Sequence, residues 1–276
     1  MFTERDYINL LKAAIKTGKA AKGTEVEKDD RMLDAEGLFL KYFEHASSAF
    51  YLSRRTHISE LDIDLFDIGS VNILAKASLE TFLVFYFIFV IPETEEEKDF
   101  RYWSWILGGL LEKQKCIKLS SEDRSLLDKQ KELIDEVKKK LTGNPGYPEF
   151  SDRQQKKLLE KGDWKLQEPW CKIGISAGLN ERLARMVNEI LCEFVHSKSS
   201  SLSQIHQAID RQAQKKLLSS SLGLIMIAMA YMIKGYQRVF PQAPGTLDDD
   251  PEARALVERF YQTGSGPYED LDIDWG

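Results

Sequence analysis

Cysteine and histidine are scarce in this chain: three cysteines and four histidines in 276 residues. Cys116, Cys171 and Cys192 lie far apart, are odd in number and lack metal-ligand spacing. That argues against a disulfide framework and a zinc site, and for free thiols in a reducing cytoplasm. The chain also has no Walker loop, no dinucleotide-binding glycine fingerprint, no HExxH pair and no Gly-x-Ser-x-Gly elbow. Common nucleotide-binding, zinc-hydrolase and serine-hydrolase chemistries are therefore not expected, and no cofactor or metal is. The opening "MFTERDYINLLKAA" carries acids and no apolar h-region, so no signal peptide is expected.

Long apolar runs are few. "LETFLVFYFIFVIP" falls short of the roughly twenty residues that span a bilayer. "LLSSSLGLIMIAMAYMI", between Lys216 and Lys234, opens with three serines and reads as a helix buried on all sides, with a membrane span as the alternative. The expected partners therefore do not include a membrane.

What is present is helical periodicity along most of the length. Thr3 is a candidate cap for a first helix ending at Gly23. Residues 30–55 read as a long amphipathic helix, and "THISELDIDLFDIGS" reads as a loop. Two helices follow Pro92, the second capped by Ser120 or Ser121 and stopped at Gly143. "TGNPGYPEF" is the clearest loop, with two prolines and two glycines. "SKSSSLS" reads as a gap between the helix over 180–196 and a long apolar helix that runs to Pro241. The expected fold is all-α: a single bundle of about seven to nine helices over residues 1–244, then a short helix and an acidic tail over 245–276.

Charge is unevenly placed. From Gly245 onward there are nine acids and two arginines, net −7 of a total of −6, so the body is nearly neutral. A neutral body is no nucleic-acid signature, although a local patch can still be one. Between Lys138 and Lys172 nine basic residues face five acids, with Tyr147, Trp164 and Trp170 nearby. Lys156, Lys157 and Trp170 are candidate RNA contacts, through phosphate and base stacking. A lysine-rich solvated surface reads the same way.

In "NERLARMVNEILCEFVHSK" a wheel at about 100° per residue puts Arg185, Glu189, Cys192 and His196 on one stripe. Leu183, Met186, Ile190 and Phe194 fall on the other side, with Val187 and Leu191 beyond them. One reading is a solvated face: Arg185 and Glu189 pair along the helix and His196 suits its C-terminal dipole. The other is a cleft in which His196 moves protons, Arg185 holds phosphate and Glu189 orients the imidazole. A second polar stripe, Asn72, Lys76 and Glu80, leads into an apolar helix. Glu80 is expected to be buried and paired with a side chain from another helix.

Two segments carry a resemblance. "NILAKASLETFLVFYFI" and "WCKIGISAGLNERLARMVNEILCEFVHSK" are similar to a bacterial all-helical family of unknown function, in a basic residue four before a glutamate and in a closing histidine. The matching positions here are Lys76, Glu80 and His196. That family in turn resembles the HEPN superfamily of helical bundles. The resemblance implies a metal-independent ribonuclease, toxin or antiphage effector acting as a dimer, with His196, Glu80 and Lys76 at its site, to which the helical wheel adds Arg185. The HEPN motif sets four to six residues between arginine and histidine, whereas ten separate Arg185 from His196. The alternative is a non-catalytic binding or scaffold subunit: an antitoxin, sensor or complex component. Candidate partners are RNA, a protein reached through the acidic tail, and a second copy of the chain.

Overall fold

The computed structural model describes residues 2–21, 30–54, 56–117, 124–166, 168–267 and 273–274. The fold is all-α, with eleven α-helices among the described residues, more than the seven to nine expected. Two causes of the higher count are local. "SKSSSLS" is not a gap: it opens α9 (Ser199–Gln207), whose first turn is held by Ser201 Oγ donating to the Lys198 carbonyl at 2.7 Å. The long helix then restarts as α10 (Arg211–Val239), because Asp210 takes the cap position and accepts from the Ala213 N–H.

The chain forms two compact units, Met1–Tyr86 with Trp170–Gly276, and Phe87–Pro169. In the larger unit α10 is the central element. It packs on α1 (Glu4–Lys19), α2 (Asp30–Ser53), α3 (Ile68–Phe85) and α11 (Pro251–Ser265), which explains why it is apolar all round. Its carbonyls serve as acceptors for the core tyrosines: Tyr42 donates to Ile225 at 2.5 Å and Tyr86 to Tyr231 at 2.7 Å. Gly235 is needed there, since a Cβ would come within 2.8 Å of the Tyr86 ring. Thr3 caps α1 in a reciprocal capping box with Asp6, as its sequence position suggests. The expected stop at Gly23 and caps at Ser120 or Ser121 lie outside the described residues.

Two further readings are corrected. α3 continues without a break into a π-helical stretch, Tyr86–Val90, so that the apolar helix over 68–90 has 23 residues. It is not too short to cross a membrane; it and α10 are both long and apolar enough by length and composition, with 67% and 78% of their most apolar windows buried in the protein. "THISELDIDLFDIGS" is not a loop. Thr56–Ile58 (β2) pairs antiparallel with Ile63–Leu65 (β3), around a turn in which Asp62 takes φ 49°. The alternation of apolar and acidic residues is a strand pattern, and the turn lets it close on itself. A second short pairing joins Phe2–Thr3 (β1) to Ile273–Asp274 (β4), in parallel. Residues 268–272 and 275–276 of the acidic tail lie outside the described residues.

The smaller unit holds α4 (Glu95–Ile117), α5 (Arg124–Thr142) and α6 (Asp152–Lys161) around Phe100, Leu107, Ile134, Val137, Leu141 and Leu158. Gly162 ends α6 at φ 70°, the left-handed conformation that favours glycine. Gly108 and Gly162 are in close approach, with a Cβ on Gly162 falling 2.9 Å from the Gly108 Cα.

Candidate functional site

α8 (Glu181–Val195) starts at Asn180, whose side-chain oxygen accepts from the N–H groups of Arg182 and Leu183 at 2.9 and 3.4 Å. Leu183, Ala184, Leu191 and Phe194 are buried, and the helix packs on α3 and on α7 (Trp170–Ser176). Arg185, Glu189 and His196 are all exposed on the opposite side, so the polar stripe is real and faces solvent. His196 is the helix's last cap. Its N–H donates to the Cys192 carbonyl at 3.1 Å, and its imidazole has no hydrogen-bond partner among the described residues. The chain turns away through Ser197 at φ 48°, with the Lys198 N–H closing on the Glu193 carbonyl at 2.9 Å. This backbone closure, and not any contact of the imidazole, is why the helix stops at the histidine.

Arg185 does not bond to Glu189. Its Nε and Nη2 donate to Oε1 of Glu181 at 3.0 and 2.8 Å. The bond to Glu181, and its charge, raise the guanidinium's pKa above the ordinary value. A glutamate four residues before an arginine is the better-oriented pair, and Glu181 sits in the first turn, where the helix dipole favours an acid. That signal stood in "NERLAR".

The second stripe is reversed in depth from the expectation. Lys76, not Glu80, is the buried member: their side chains are 8% and 41% exposed. Glu80 pairs with Lys76 one turn away at 3.1 Å, and no other partner of Glu80 is found among the described residues. Asn72, one turn deeper, is buried and accepts from Ser221 Oγ at 2.6 Å while donating to the Ile68 carbonyl at 2.8 Å. The stripe thus climbs from a satisfied core amide to a half-exposed carboxylate.

Trp170 is half-buried at the first position of α7. Lys156 is exposed and Lys157 half-buried on α6, in the smaller unit. Two shallow concavities occur elsewhere. One of about 520 Å³ is lined by Asp64, Leu65, Phe66, Arg211 and Gln214 in the larger unit. The other, of about 460 Å³, includes Glu95, Trp103, Lys140 and Asn144 in the smaller unit. Neither is lined by any of the candidate site residues. Among the described residues no cluster of three or more His, Cys, Asp or Glu side chains is placed to hold a metal ion, and neither Cys171 nor Cys192 is in a disulfide. The Cys116 side chain lies outside the described set.

Neither family models, nor curated proteins, nor solved structures gave a match to this chain.

Proposed function

We propose that this chain is a non-catalytic helical binding subunit of the bacterial cytoplasm, with the exposed face of α8 as its contact surface. The observation that carries this reading is the position of Arg185, Glu189 and His196: exposed, and opposite the buried residues of their helix. Acid–base catalysis needs a proton donor held against a bound substrate, usually in a site that excludes water. An open face of mixed charge, with Val195 40% exposed beside it, is better suited to a partner protein. Lys76 and Glu80 are occupied with each other, which suits a structural role at the edge of the core.

The second reading is the metal-independent ribonuclease or toxin-type effector of antiphage defence that the HEPN-like resemblance implies. One observation favours it. The His196 imidazole is exposed and has no hydrogen-bond partner among the described residues, so it is open to a bound RNA, while Arg185 lies about three turns away and is held by Glu181. Lys156, Lys157 and Trp170 would then be RNA contacts.

Incubation of the pure protein with mixed RNA, with and without EDTA, separates the two readings. The binding reading expects no cleavage and a His196→Ala variant that melts with the wild type. EDTA-resistant cleavage that falls by about 10²–10⁴ in His196→Ala, without loss of fold, would overturn it in favour of the nuclease.

A further inference from the structure

We propose that α2 is a self-pairing helix that joins two copies of this chain antiparallel; the inference is independent of what the α8 face binds. α2 buries Ala35, Leu38, Phe39, Tyr42, Ala46, Ala49 and Ser53 against its own unit. On the opposite side it exposes three large residues, Leu33 at 41%, Leu40 at 55% and Tyr51 at 72%. At about 100° per residue these three fall within about 20° of one line. Packing within one chain gives no reason for such a line on the solvent side of a 24-residue helix.

Exposed Gly37 and Glu44 and half-buried Ser47, whose hydroxyl points inward, fill in the line, giving steps of four, three, four, three and four residues from Leu33 to Tyr51. That is the spacing of a helix–helix seam. It also reads the same in both directions, which is what an isologous twofold contact requires. Laid antiparallel on a second copy and centred level with position 42, Leu33 meets Tyr51 of the other copy, Gly37 meets Ser47 and Leu40 meets Glu44. At Gly37 a Cβ would find nothing within 4 Å, so the outer side of the helix is open to close approach there.

Charge selects this orientation. Lys41 and Glu44 are both exposed, and neither has an ion-pair partner among the described residues. In the antiparallel arrangement Lys41 of each copy lies on the same flank as Glu44 of the other, about one residue apart along the axis, so two symmetry-related ion pairs form. In a parallel arrangement Glu44 would face Glu44 across the seam and the two Lys41 side chains would lie on opposite flanks, so neither ion pair would form. A single helix pair is a small interface, so the dimer is concentration-dependent.

The test is sedimentation equilibrium of the full chain over a concentration series at low salt. Wild type is expected to pass from 31.7 kDa toward twice that mass as concentration rises. Leu40→Glu and the milder Leu40→Gln should raise the dissociation constant by about tenfold or more while melting with the wild type, since Leu40 is exposed. Lys41→Glu and Glu44→Lys should each weaken the dimer, and the double exchange should restore it. A wild type that stays at one chain throughout overturns the proposal, as does a dimer that ignores Leu40→Glu. A dimer that the double exchange fails to restore overturns the antiparallel arrangement.

Discussion

Lys76 Nζ lies 3.1 Å from Glu80 Oε1, and it is the lysine, not the glutamate, that the helices enclose. Removal of either partner should therefore be unequal. Glu80→Ala strips a largely buried ammonium of its carboxylate and should cost about 1–3 kcal/mol, while Glu80→Gln keeps an acceptor and should cost less. Lys76→Met leaves a half-exposed carboxylate that water can solvate, and should be close to neutral. Urea melts of the three variants measure this. An Ala variant at position 80 that unfolds with the wild type would show that Lys76 is held by other contacts.

Ser197 occupies a left-handed cap at φ 48°, a conformation that disfavours any side chain. Ser197→Gly should stabilise the protein by about 1 kcal/mol, seen as a higher Tm, with His196 still ending α8.

Glycines in two helices should respond with opposite sign to alanine. At Gly235 a Cβ would meet the buried rings of Tyr86 and Phe85 at 2.8 and 3.0 Å, and neither ring can yield. Gly235→Ala should cost about 1–3 kcal/mol despite its better helix propensity. At Gly109, inside α4, a Cβ meets nothing within 4 Å, so Gly109→Ala should stabilise by about 0.5–1 kcal/mol. Equal behaviour of the two variants would contradict the packing around α10.

His45 on α2 has its pKa lowered from the ordinary 6.5, first by partial burial and then by Lys41, with Glu44 opposing. A histidine whose folded pKa is depressed favours the folded state fully above 6.5. That contribution is lost as pH falls from 6.5 through the lower folded value. Stability should therefore decline over this window, and the decline should shrink in His45→Gln. An NMR titration of the His45 ring with a midpoint at or above 6.5 would refute the assignment.

Some of this was legible in the sequence. Helical periodicity alone gives the all-α class, and Thr3 is readable as a cap, because both depend on residues within a few positions of one another. The stripe of Asn72, Lys76 and Glu80 and the solvent-facing stripe of Arg185, Glu189 and His196 are helical-wheel facts of the same local kind. The pairing of Arg185 with Glu181 was local too, and the preferred Glu-before-Arg order marked it.

Depth and neighbourhood were settled only in three dimensions. No pattern within α3 says whether Lys76 or Glu80 is covered, since that depends on which helices lie over each turn. Nor does the apolar circumference of α10 say which helices pack on it; α1, α2, α3 and α11 do so only in the folded chain. The hairpin at Thr56–Leu65 and the restart of the helix at Asp210 rest on backbone closures, a left-handed Asp62 and a capped N–H, that compete with helix continuation by small margins. Local sequence determines which structures each segment can form, and burial against the rest of the chain decides among them.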